Sequence, residues 1–229
     1  MLEESVDYLV DSGVQTPLIL AILVVLEAVL SADNAIALAA IAQNLPDPEL
    51  QRRALNIGLV GAYILRLILI LTATWVVQYW QFELLGAFYL LWLVYDHFFT
   101  EKSETATVPD SSVSYSSLWQ IVPTIAMTDL AFSLDSVTTA IAVAEETWLI
   151  IVGGTIGVIT LRFLAELFIR WLEEYTYLED AGFITVGLVG LRLLFKVVTP
   201  ELMIPEWVTI AIIGLLFTWG FSKRTVEEN

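Results

Sequence analysis

Seven apolar runs, separated by short polar breaks, take up most of the chain: residues 17–44, 53–77, 84–99, 118–146, 148–171, 182–198 and 206–221. A helix needs about 20 mainly apolar residues to cross a bilayer. The pattern therefore predicts an all-α polytopic membrane protein with seven transmembrane helices forming a single membrane domain. The breaks carry turn chemistry, as at Pro46-Asp47-Pro48 and between Pro200 and Pro205. Only one stretch changes composition, the Ser/Thr-rich linker 100–117 around Pro109. Residues 1–16 read as a short acidic tail with Glu3, Glu4, Asp7 and Asp11. They lack a basic leading region and the following apolar run is long, so no cleavable signal peptide is expected.

Inside this apolar pattern the chain writes one polar motif twice. Glu27-Ala28-Val29-Leu30-Ser31-Ala32-Asp33-Asn34 is matched by Asp129-Leu130-Ala131-Phe132-Ser133-Leu134-Asp135-Ser136. The match continues downstream, where Gly58-x-x-Gly61 and Arg66 correspond to Gly154-x-x-Gly157 and Arg162. The plan is a first three-helix repeat over 17–99, the linker 100–117, a second three-helix repeat over 118–198, and a seventh helix over 206–221. Three spans per repeat make the second copy enter the membrane from the opposite side. Such inverted repeats are the architecture of secondary transporters, which place their site near the midplane between the copies.

Charge refines this picture in two ways. Arg52, Arg53, Lys102, Arg170, Lys223 and Arg224 all fall on one side of the predicted topology, against Lys196 on the other. The positive-inside rule then puts the N-terminus outside and the C-terminus in the cytoplasm. Overall, 26 acidic residues against 10 basic ones give a formal charge of −16. That excess argues against nucleic acid or anionic lipid as the main partner. The 58% apolar content leaves no room for a soluble catalytic domain. With no cysteine and one histidine, His97, any metal must be held by oxygen or by that imidazole. His97 lies at a helix end beside the linker and reads as an interfacial residue.

A carboxylate at bilayer depth costs about 3 kcal/mol on insertion scales, so the motif acids are functional candidates by default. At 100° per residue, Glu27, Ser31 and Asn34 share a helical face while Asp33 points about 120° away. Asp129, Ser133 and Ser136 likewise sit together, with Asp135 apart. One cavity using all four acids requires either that the helices unwind near the serines or that Asp33 and Asp135 meet across the repeat axis. Arg66 and Arg162 are the charge-pairing candidates. Glu166, four residues on, is a local partner for Arg162, and Arg66 has none at that spacing. Asp96 and Arg192 fall at matched places in the third and sixth helices and are candidates to pair. Counted as ions, Glu27, Asp33, Asp129 and Asp135 against the two arginines leave two negative charges, suiting one divalent cation. The donors are hard oxygens, which favour Mg²⁺, Ca²⁺ or Mn²⁺ over Zn²⁺ or copper.

The two motifs resemble those of the TerC family of integral membrane proteins, placed with the LysE-type transporters. The likeness rests on Glu27, Leu30, Ser31, Asp33 and Asn34 and on Thr128, Asp129, Phe132, Ser133, Asp135 and Ser136. The resemblance implies export of Mn²⁺ from the cytoplasm, with Glu27, Ser31, Asp33, Asn34, Asp129, Ser133, Asp135 and Ser136 as ligands and no bound cofactor. The host would be a bacterial inner membrane or, in a photosynthetic source, a thylakoid membrane. A Ca²⁺ transporter is one alternative. A membrane-protein assembly factor is another, since plastid relatives are linked to thylakoid biogenesis. An enzyme is not expected, because no nucleophile–base pair lies near either motif. A buried carboxylate that loses its proton to an arriving cation and regains it on release further points to proton antiport, with Glu27 or Asp129 as the proton carrier. Oligomeric state is not legible.

Overall fold

The computed structural model describes residues 2–100, 118–144, 146–199 and 206–224, with side chains from residue 17 onward except 26, 28–30, 32, 33, 100, 206 and 207. The expected linker and the turn between Pro200 and Pro205 thus lie almost wholly outside the described residues. Seven helices occupy the described chain: α1 (Leu2–Gln43), α2 (Pro48–Val76), α3 (Trp80–Thr100), α4 (Leu118–Val143), α5 (Thr147–Glu174), α6 (Leu178–Val198) and α7 (Glu206–Gly220). Five of them, α2 to α6, are long and apolar enough to cross a membrane. α1 differs from expectation by starting at Leu2 and carrying Pro17 inside it. Proline removes one backbone donor and bends a helix without always ending it, which is why it misled as a boundary.

Local chemistry explains the clearest helix start. In the Pro46-Asp47-Pro48 turn, Asp47 is the N-cap and accepts a hydrogen bond from the Glu49 backbone N–H at 2.8 Å. Pro48 opens the helix, where its missing N–H would have been unpaired anyway. Arg53 closes the first turns onto Glu49 at 2.8 Å. Outward positions are apolar along the spans, as at Val60, Leu71, Trp119 and Phe163. Exposed apolar surface on this scale marks a face that meets lipid.

The three principal helix pairs are not neighbours in sequence. α1 lies chiefly along α5, α2 along α4, and α3 along α6, with lesser α1–α4, α2–α5, α1–α6 and α3–α4 contacts and α7 against α6. Exchanging α1 with α4, α2 with α5 and α3 with α6 swaps the α1–α5 and α2–α4 pairs and returns α3–α6 to itself. Small residues allow these approaches, as they do in membrane bundles generally. A Cβ built on Gly58 of α2 would lie 2.6 Å from Ile125 of α4, and one on Gly182 of α6 would lie 2.9 Å from Ile36 of α1. The buried run Ala35–Ala42 of α1 and Leu55, Leu90, Leu161 and Leu193 share one apolar core.

Candidate functional site

α1, α2 and α4 bring one ionic cluster to the middle of the bundle. Arg66 of α2 is 2% exposed and aims every nitrogen of its guanidinium at a motif oxygen. Nε donates to Ser133 Oγ at 2.9 Å, Nη1 donates to Glu27 Oε2 at 3.0 Å, and Nη2 lies 3.5 Å from Asp129 Oδ1. Glu27 and Asp129 occupy equivalent places in the two motifs, so each repeat supplies one carboxylate to the same cation. Ser133 Oγ donates in turn to the Asp129 carbonyl at 2.7 Å. Ser31, Asn34 and Ser136 are buried on the same helical faces, as the 100° arithmetic predicts.

Asp129 is fully buried, yet its Oδ1 accepts no hydrogen bond. A desolvated carboxylate oxygen without a donor costs about 1–3 kcal/mol or more. Such an oxygen has acceptor capacity to spare for a proton or a cation. Beside it, Tyr89 of α3 meets Thr128 Oγ1 at 3.0 Å and donates to the Thr124 carbonyl at 3.3 Å, tying α3 to the motif-bearing turn of α4.

The other motif acids are not brought to this cluster. Asp135 turns away, as the helical arithmetic requires, and meets α6: Arg192 Nη1 at 3.3 Å and Lys196 Nζ at 3.2 Å. Lys196 also reaches Glu83 of α3 at 3.0 Å. Arg192 therefore pairs with a motif aspartate, a partner the sequence matching of Arg192 with Asp96 did not suggest. The side chain of Asp33 lies outside the described residues. Both helices continue unbroken through Ser31 and Ser133, so unwinding at the serines, the first of the two alternatives, does not occur. Arg162 stays away from the cluster, donating to Glu166 of its own helix at 2.8 Å and to Asn56 of α2. The charge count changes with this geometry. Around Arg66 stand Glu27 and Asp129, one net negative charge, with Asp135 neutralised elsewhere. Among the described residues no three acids or imidazoles converge at metal-binding distance. At the far end of α3, the His97 ring stacks on Phe183 at 3.6 Å and its Nε2 is 3.6 Å from Asp180.

Sequence reasoning missed Lys196 and Glu83, whose helix-end positions hid their reach. It also missed what Gly157 does. A Cβ on Gly157 would lie 2.7 Å from Glu27 Oε2, whereas one on Gly154 meets Arg66 Cδ at an ordinary 3.7 Å. Gly157→Ala is thus expected to push Glu27 off its place and cost about 1–3 kcal/mol, the usual range for overpacking. Gly154→Ala is expected to be nearly neutral. Thermal unfolding of the two variants in detergent checks this, and equal midpoints would contradict the Gly157–Glu27 contact.

The bundle and its buried ionic centre define an integral membrane protein with a charged site held inside its apolar spans. The chain belongs to the TerC family of integral membrane proteins, whose model matches residues 13–227. It is 38% identical over 176 residues to the uncharacterized membrane protein YceF of Bacillus subtilis, covering 75% of this chain and 68% of that one. It is 32% identical over 191 residues to the uncharacterized membrane protein YkoY of the same organism, covering 76% of this chain and 59% of that one. The thylakoid membrane protein TERC of Arabidopsis thaliana is 23% identical over 198 residues, and the match covers 52% of its length. No solved structure matches the chain.

Proposed function

We propose that the protein is a transporter that exports a hard divalent cation, Mn²⁺ before Ca²⁺, from the cytoplasm in exchange for protons. The observation that carries this reading is the convergence of Glu27 and Asp129, equivalent residues of the two motifs, on one buried arginine, with Asp129 Oδ1 free of hydrogen bonds. Intramembrane carboxylates facing a bundle interior mark ion pathways. In the metal-free state Arg66 stands where a cation would balance the two acids. An arriving divalent ion competes with the guanidinium for Glu27 and Asp129, with Ser31, Asn34, Ser133 and Ser136 as neutral oxygen ligands. Asp33 as a third carboxylate would bring the site to two negative charges. Asp135 joins only if it leaves Arg192 and Lys196.

The exchangeable pattern of helix contacts supports two three-helix repeats with a seventh helix, and the one-sided placement of Arg52, Arg53, Lys102, Arg170, Lys223 and Arg224 supports their inversion with the N-terminus outside and the C-terminus cytoplasmic. Proton coupling follows from linkage, because a metal displaces protons from its carboxylate ligands and its release lets them return. A second reading, a membrane assembly factor, is favoured by the full engagement of Arg66, which would make the cluster a structural tie. One experiment separates the two. Proteoliposomes are loaded in parallel with Mn²⁺, Ca²⁺, Mg²⁺ and Zn²⁺ and followed with a pH-sensitive dye. The transporter moves Mn²⁺ at least tenfold faster than protein-free vesicles, with a proton signal opposed to it. No flux of any of the four ions rejects transport, and Mn²⁺ flux without a proton signal under any imposed gradient rejects the coupling.

A further inference from the structure

Between α2 and α5 the surface opens into a cleft of about 540 Å³. Leu59, Val60, Val158, Ile159 and Phe163 wall it. Its outer edge is open to the side, with Val60, Ile159 and Phe163 more than half exposed. Charge is concentrated at one end, while the Tyr63–Thr155 hydrogen bond of 2.9 Å lies at the other. At the charged end Arg162 uses Nε on Asn56 and Nη1 on Glu166, while its Nη2 carries no hydrogen bond to the described residues. Glu166 is shared three ways. Besides Arg162 at 2.8 Å, Arg52 of α2 lies 3.5 Å and Arg170 of α5 lies 3.7 Å from its carboxylate.

One carboxylate among three guanidinium groups leaves two positive charges. The nearby acids do not cancel them, since Glu49 is taken by Arg53 and Glu173 and Glu174 make no ion pair with any of the three. Arg52 and Arg170 stand within the first and last two turns of their helices, and the cleft runs from them toward the helix middles. Arg52 and Arg170 thus sit where a bilayer places its headgroups, with Arg162 deeper at the mouth of the trough and the apolar walls where acyl chains lie. Basic pockets between transmembrane helices are built for anionic lipid in this way.

We infer that the α2–α5 cleft binds one anionic phospholipid, with its phosphate at Arg52, Arg162 and Arg170 and an acyl chain along Val60, Ile159 and Phe163. Arg52 and Arg170, each near Glu166 through one nitrogen, can pair phosphate through two parallel N–H donors, and Arg162 adds Nη2. An acyl chain also covers the half-exposed Arg162 stem, which would otherwise hold a trough open beside a charge in the apolar layer. The site is separate from the Glu27–Arg66–Asp129 cluster and does not depend on what that cluster carries.

Native mass spectrometry of the purified full chain, titrated with phosphatidylglycerol or with phosphatidylcholine of the same acyl chains, tests the inference. One phosphatidylglycerol per chain should be retained, with at least tenfold preference over phosphatidylcholine. Arg52→Gln/Arg170→Gln should bring that preference close to unity, two surface charges at about 1 kcal/mol each being worth roughly thirtyfold. Ile159→Trp fills the trough, keeps all three arginines and should also abolish retention. Millimolar inorganic phosphate should neither compete nor shift the unfolding midpoint. Equal retention of the two lipids overturns the proposal. So does phosphate binding that survives Ile159→Trp, which would mean a simple anion site. The chain has no cysteine, so an Ile159→Cys variant cross-links only if a second copy covers the cleft, and efficient cross-linking in phosphatidylglycerol bilayers would likewise overturn it.

Discussion

On the transporter reading, Asp129→Asn is expected to reduce Mn²⁺ flux at least a hundredfold and to leave the bundle folded. Asparagine keeps the shape of the side chain, so the packing of a fully buried residue is preserved. The charge is what disappears. Arg66 retains Glu27 at 3.0 Å, so the cluster goes from one net negative charge to neutral, a change that folding tolerates. A divalent cation does not tolerate it, because it loses both an anionic ligand and the oxygen that carries no competing hydrogen bond. Flux in proteoliposomes, read beside the unfolding midpoint, checks both halves of the expectation. Wild-type flux from the variant would take Asp129 out of the ion path and leave it as a structural partner of Arg66.

Arg66→Gln is expected to produce the largest loss of stability from any single change described here, about 3–5 kcal/mol. Breaking a buried ion pair costs that much because a charge is left without compensation. Here two carboxylates would be left. Arg66→Lys should recover only part of the loss, since one ammonium group cannot direct three donors to Ser133, Glu27 and Asp129 as the planar guanidinium does. The diagnostic variant is the double change Arg66→Gln/Glu27→Gln, which removes one stranded charge and should regain at least 1 kcal/mol over Arg66→Gln. Strict additivity of the two single changes in a double-mutant cycle would show that the two residues do not interact.

How much of this was legible beforehand follows from which interactions are local. Hydropathy placed the five long apolar helices α2–α6, since a span's apolarity is written in its own residues. The 100° arithmetic separated Asp135 from Ser133 and Ser136, and put Arg162 on Glu166, for the same reason. Partners across helices were not legible. Nothing local tells Arg66 to take Glu27 and Asp129, or turns Arg192 and Lys196 toward Asp135. Those choices depend on α1 lying along α5 and α2 along α4, a pairing of segments distant in sequence. The charge count went wrong on this point, because it treated Arg162 and Asp135 as members of a cluster that the helix arrangement keeps them out of. Pro17 misled for a different reason, as a proline kink and a helix start look alike in sequence.

The interlaced packing also dictates an order of assembly. During synthesis α1 waits for its main companion until α5 has been made, on the order of ten seconds later at ordinary elongation rates. Through that interval the buried face of α1, Glu27 included, has no finished neighbour of its own. Arg66, only 39 residues downstream, arrives first and can neutralise Glu27 while the second half is still being translated. The arginine then serves as an early clasp that keeps an acidic helix in the lipid until α4 brings Asp129 to the same guanidinium. A chain ending after α3 would reach the membrane with that clasp and nothing to close around it, and so would be a substrate for quality-control proteolysis rather than half of a working protein.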